Sequence, residues 1–120
     1  MGKKLILGLV IGTLGLAYGC ASSGSGGTTV YSVEDFKYPL KSTDVATGEE
    51  VYAEFCEGCH PGGEEGDGPK IAGEALPPAK VRWQIRSGLD DMPAFGPDKI
   101  SDADLEALLA FTETFGAVAR

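Results

Sequence analysis

An all-α fold follows from three features of this chain. Two segments open with helix-capping signals, Thr47-x-x-Glu50 and Ser101-x-x-Asp104. Apolar residues after each signal recur at three- and four-residue spacing, the period of one helix face. No stretch alternates with period two for long enough to make a strand. Taken in order, the first helix follows Thr47, with Val51, Phe55 and Cys59 on one face. The segment from Pro61 to Gly68 is glycine-rich and charged, which predicts a loop. A shorter helix starts near Pro78 and ends before Gly88, with Val81 and Ile85 turned inward. The last helix follows Ser101, carries Leu105, Leu108, Leu109, Thr112 and Phe115 as one stripe, and stops at Gly116.

The chemistry is concentrated in Cys56-Glu57-Gly58-Cys59-His60, a C-x-x-C-H run of the kind that attaches haem covalently. Two cysteines three positions apart on a helical turn present both sulfurs to one side. There they can form thioethers with the vinyl-derived carbons on one porphyrin edge. His60 follows directly and is placed to be the proximal iron ligand. A thioredoxin-like reading needs a βαβ setting, and no strand-like run precedes Cys56. Structural zinc needs four ligands, whereas His60 is the only histidine and Cys20 the only other cysteine.

A sixth ligand must come from a short inventory. The chain has two methionines, and Met1 is the initiator, which leaves Met92 in Asp91-Met92-Pro93-Ala94-Phe95. Pro93 holds Met92 extended and stiffens the loop. A thioether favours ferrous iron, so His60/Met92 ligation raises the potential. The plainer reading is a methionine filling a gap in the core. The polar stretch from Ser87 to Asp91 favours a loop presenting one side chain.

From about Asp44 to Arg120 the chain resembles a small bacterial class I cytochrome c. The resemblance rests on an ordered set. Gly48 lies eight residues before Cys56 and Tyr52 four before it; Pro69 follows in Gly66-Asp67-Gly68-Pro69, then Met92-Pro93-Ala94-Phe95, then Leu108 and Phe111. It implies three to four helices packed around one covalent haem c, with the first and last helices meeting at Gly48. It implies that the Pro69 carbonyl accepts the Nδ1 proton of His60, fixing its tautomer. It also implies that Met92 is the distal ligand.

Size is consistent with a cofactor-dependent core, since about 77 residues make a marginal domain without a staple. Trp83 has two readings of equal weight: its indole NH faces a haem propionate, or it is an ordinary core aromatic. Lys80, Arg82 and Arg86 form the densest basic group of the domain, read first as a solvated helix face and second as compensation for propionate charge.

The leading 43 residues address location. Lys3-Lys4 precede an apolar stretch from Leu5 to Tyr18, the n- and h-regions of a secretory signal over residues 1–19. About 14 apolar residues are short of the roughly 20 that span a membrane. Cys20 after Gly19 resembles the lipid-acceptor cysteine of a bacterial lipoprotein; the competing reading is ordinary cleavage after Ala17-Tyr18-Gly19, leaving a free thiol. Residues 20–43 then read as a lipid-anchor cysteine and flexible linker ahead of the cytochrome domain at 44–120. Tyr31, Val33, Phe36, Tyr38 and Leu40 offer the alternative of folding back on that domain. Ala21 after Cys20 points weakly to the outer rather than the inner membrane, on the periplasmic side or cell surface.

The formal net charge is −8, and about −10 once Lys3 and Lys4 leave with the leader. No Lys or Arg lies between Lys41 and Lys70, where eight carboxylates do. Such a balance opposes binding to nucleic acid or anionic lipid and favours a basic docking face on a redox partner. The expected function is single-electron transfer between a donor and an acceptor protein, with no chemistry on a substrate. The alternatives are a haem subunit of a larger respiratory oxidoreductase and a gas-binding or catalytic haem protein with open iron.

Overall fold

Helix α1 spans Val45–Phe55, α2 Pro78–Ser87 and α3 Asp102–Glu113, with short 3-10 turns at Val33–Phe36 and Pro61–Gly63. The computed structural model describes residues 30–120. The signal segment 1–19, Cys20 and the Gly/Ser stretch that follows lie outside the described residues. Among the described residues there is no strand, only two isolated bridges, Leu76 with Val118 and Leu89 with Met92. Nor is any helix there long and apolar enough to cross a membrane.

The first helix begins earlier than its capping box predicts. Asp44, not Thr47, is the N-cap: its carboxylate accepts the Thr47 amide at 3.1 Å and the Thr47 hydroxyl at 2.8 Å. A carboxylate is the stronger acceptor for an exposed first-turn N–H, and it also favours the positive end of the helix dipole. The last helix starts where expected, with Ser101 Oγ accepting the Asp104 amide at 3.1 Å. It ends at Glu113, three residues short of the expected stop, so Phe115 lies just past it; Gly116, with a φ of +75°, makes the left-handed turn that follows. The Ala117 amide then reaches back to the Thr112 carbonyl at 3.0 Å.

Helices α1 and α3 form the frame, and they touch where the missing side chain allows it. A Cβ on Gly48 would lie 2.0 Å from the Ala107 carbonyl oxygen and 2.7 Å from the Phe111 Cβ. Above that crossing Tyr52, Phe111 and Phe115 form an aromatic triangle with centroids 5.3–5.7 Å apart. Val51, Tyr52, Ile85, Ile100, Leu105, Leu108, Leu109 and Val118 make one contiguous core. The segment after the C-x-x-C-H run is tied to the C-terminal tail by backbone bonds, Ala75 to Gly116 at 2.8 Å and Leu76 to Ala117 at 2.9 Å.

Two expectations change here. Residues 30–43 fold back on the domain rather than trail: Phe36 is buried, Tyr31 packs on it, and the Val33–Phe36 turn lies against α2. Nor are Arg82 and Arg86 a solvated face, since both are buried. Arg82 donates to the carbonyls of Phe36, Tyr38 and Pro39 at 2.8–3.1 Å and to both Glu106 oxygens. Its plane lies 3.9 Å over the Tyr38 ring. A guanidinium that satisfies this many acceptors can be buried, and here it binds the N-terminal strap to α2 and α3.

Candidate haem site

Helix α1 ends where the C-x-x-C-H run begins. Cys56 is its C-cap and keeps the last helical bond, its amide donating to the Tyr52 carbonyl at 2.8 Å. The chain then turns tightly, with the Cys59 and His60 amides both bonded to the Cys56 carbonyl at 3.1 and 2.9 Å. Cys59 is exposed and Cys56 half-buried. Burial, then the proximity of Cys59 and Glu57, pushes the Cys56 thiol up to about 12. That rise is opposite in direction to the depressed thiol of a redox-active C-x-x-C. Among the described residues no three His, Cys, Asp or Glu side chains converge as they would around a bare metal ion.

His60 is held at three points. Nδ1 lies 2.8 Å from the Pro69 carbonyl, so Nδ1 carries the proton and Nε2 is left as an electron-pair donor. Gly68 lies against the imidazole, where a Cβ would come within 2.4 Å of Cε1. The Tyr52 hydroxyl donates to the His60 carbonyl and accepts the Gly63 amide at 2.9 Å. In the sequence Tyr52 stands out only as the family's aromatic four residues before Cys56; a tyrosine where an aromatic ring would suffice is the one signal of its hydroxyl's role. Glu57, between the cysteines, caps the next turn by accepting the Gly62 amide at 3.1 Å.

Met92 stands in a tight turn, with its amide bonded to the Leu89 carbonyl at 2.9 Å and its own carbonyl accepting the Leu89 amide at 3.0 Å. Gln84 Nε2 lies 3.8 Å from its sulfur. The loop is pinned behind Met92, where the Phe95 amide donates to the Ile85 carbonyl at 2.8 Å and the Phe95 ring meets Phe55 edge-on at 5.8 Å. Of the two readings of Trp83, the contact seen is with the strap: its indole NH donates to the Tyr31 carbonyl at 3.0 Å.

This set of residues fits a covalently held haem. Two thiols, an imidazole with its Nδ1 already engaged and one thioether are the donors a c-type haem needs. Phe55, Cys56, Ile71, Val81, Met92 and Phe95 are only partly buried although they pack against the core, which leaves apolar surface for a flat cofactor to cover.

Comparison with known proteins gives the same picture. Residues 43–111 match the family described as cytochrome c oxidase, cbb3-type, subunit III. Cytochrome c6 of Picosynechococcus sp. is 31% identical over 104 residues, covering 70% of this chain and 84% of that protein. The cytochrome c subunit of 4-cresol dehydrogenase (hydroxylating) from Pseudomonas putida is 32% identical over 73 residues, covering 61% of this chain and 64% of that protein. A crystal structure of p-cresol methylhydroxylase with substrate bound contains a chain that superposes with a TM-score of 0.50 at 29% identity, over 66% of this chain and 100% of that one.

Proposed function

Since this chain belongs to the cytochrome c family, as a small class I member with one covalently attached c-type haem, we propose that it is a single-electron carrier at a membrane surface outside the cytoplasm. The haem supplies a one-electron ferric/ferrous couple; the chain supplies attachment, ligands and access. Cys56 and Cys59 form the two thioethers. His60 would hold the iron through Nε2, and the Pro69 carbonyl on Nδ1 would make it a stronger donor. Met92 would supply the second iron donor, and its thioether would raise the potential. The observation that carries this reading is the 2.8 Å contact between His60 Nδ1 and the Pro69 carbonyl, directly after a C-x-x-C-H run.

Cys20 is the lipid anchor, with Ala21 to Thr29 as the tether, because the strap takes Tyr31 to Leu40 out of it. The anchor places the carrier on the periplasmic side or the cell surface, at the outer rather than the inner membrane. Cys20→Ala releases the domain from membranes, or blocks processing, without changing its spectrum. Donor and acceptor dock through basic faces, since Glu54, Glu57, Glu65 and Asp67 around the site are all exposed.

The test is spectroscopic. The ferric protein shows a weak near-infrared sulfur-to-iron band, and the ferrous protein ignores carbon monoxide. Met92→Ala keeps the haem attached but loses the band, lowers the potential and binds carbon monoxide. A Met92→Ala protein that kept band and potential would make Met92 a packing residue and reopen the gas-binding or catalytic alternative.

A second reading is favoured by the similarity to a dehydrogenase's cytochrome subunit: this chain is a fixed haem subunit of a larger oxidoreductase. Purification at native expression levels separates the two readings, since a fixed subunit travels with a stoichiometric partner and a free carrier does not.

A further inference from the structure

Resting on the assignment of Met92 as distal ligand, we propose that Arg86 is the positioning residue that keeps the Met92 loop closed and excludes competing ligands from the iron. Two of its guanidinium's hydrogen bonds go to the segment between Met92 and α3, and the third goes to the first residue of α3. Nη1 donates to the Phe95 carbonyl at 2.9 Å and to the Ile100 carbonyl at 2.6 Å, and Nη2 donates to Asp102 Oδ1 at 2.7 Å. The side chain is 2% exposed, whereas that of Asp102 is 88% exposed. The two carbonyls are therefore its interior partners, and the carboxylate is an outer one.

Geometry gives this bond set its leverage. Arg86 sits one residue after Ile85, whose carbonyl takes the Phe95 amide at 2.8 Å. Consecutive residues of α2 thus hold the amide and the carbonyl of the same loop residue, three positions beyond Met92. The turn that presents Met92 has only the Leu89 backbone pair and the long Gln84 contact of its own. Swinging Met92 aside moves Phe95 and strands a buried cation, which costs far more than losing a neutral hydrogen bond. An external ligand that must wait for that opening binds in proportion to the open fraction.

Arg82 provides the control. It is one turn earlier on the same helix, equally buried, and its bonds go to the strap and Glu106 rather than to the loop. The experiment uses purified holoprotein: wild type, Arg86→Lys and Arg82→Lys. It measures the near-infrared band, the affinity of ferric protein for imidazole, and the urea midpoint. Lysine keeps the charge but lacks the fork that spans the Phe95 and Ile100 carbonyls. Arg86→Lys is expected to retain attached haem and bind imidazole about tenfold or more tighter. Arg82→Lys is expected to lower the urea midpoint while its imidazole affinity stays at the wild-type value. Should Arg86→Lys give no holoprotein, Arg86→Gln, which strands no charge, is read the same way.

Equal imidazole affinity in wild type and the Arg86 variants would overturn the proposal. So would an equal gain from Arg82→Lys, which would reduce the effect to global stability. A wild-type protein without the near-infrared band removes the Met92 assignment itself, a failure distinguishable from the other two.

Discussion

Arg82 and Glu106 form a two-pronged ion pair, Nε to Oε1 at 2.6 Å and Nη2 to Oε2 at 2.8 Å, with the arginine side chain 0% and the glutamate 7% exposed. Glu106 also accepts the Lys41 amide at 3.0 Å, so both partners hold the N-terminal strap, one through carbonyls and the other through an amide. The pair is satisfied on all sides, which is the condition for burying two charges.

Removing one partner leaves the other charge buried without compensation. Arg82→Gln is expected to destabilise the holoprotein by about 3–5 kcal/mol, read as a fall in the urea midpoint. It should also free the strap, so that limited proteolysis cuts between Tyr31 and Thr43 in the variant and not in wild type. An uncut variant would mean that the apolar contacts of Phe36 suffice to hold the strap.

At the α1/α3 crossing a single methyl group is too much. Gly48→Ala places a Cβ 2.0 Å from backbone, which cannot rotate away. The helices must separate, at a cost of about 1–3 kcal/mol. Thermal unfolding should report the loss while the haem spectrum stays unchanged, because neither the thioethers nor the ligands lie at that contact.

The Asp44 cap gives a pH signature. The Thr47 amide, then the Thr47 hydroxyl, hold the Asp44 carboxyl below its ordinary value. A lowered pKa means that the carboxylate stabilises the fold above the unfolded value and loses this effect as pH falls through the folded one. Asp44→Ala should therefore be less stable than wild type at neutral pH, with the gap closing below about pH 4. Urea midpoints across that range test it; a gap constant with pH would show that ionisation of the Asp44 carboxyl adds nothing to the cap.

Docking should depend on salt. Glu49, Glu50, Glu54, Glu57, Glu65 and Asp67 are exposed around the C-x-x-C-H run, whereas Arg82 and Arg86 are buried and paired. Electron exchange with a basic partner is expected to slow as ionic strength rises, because opposite charges steer the encounter and salt screens them. A stopped-flow rate that stays flat would remove the acidic surface as the docking determinant.

Local signals determined the helices and the chemistry. The C-x-x-C-H run, the single remaining methionine and the period of Leu105, Leu108 and Leu109 are statements about neighbours along the chain, so they survive without knowledge of the fold. The all-α class was legible for the same reason. Long-range partners were not. Whether Arg82 faces water or three carbonyls of a strap more than forty residues away depends on what the fold brings over it, and a lysine-and-arginine cluster looks the same in either case. Trp83 carries both readings in the sequence, and only the fold brings the Tyr31 carbonyl to its indole NH. Asp44 displaced Thr47 as cap because both can accept a first-turn amide, and only the path of the entering chain chose between them. Tertiary structure decided where the buried charges go, and with them what holds the strap and the Met92 loop in place.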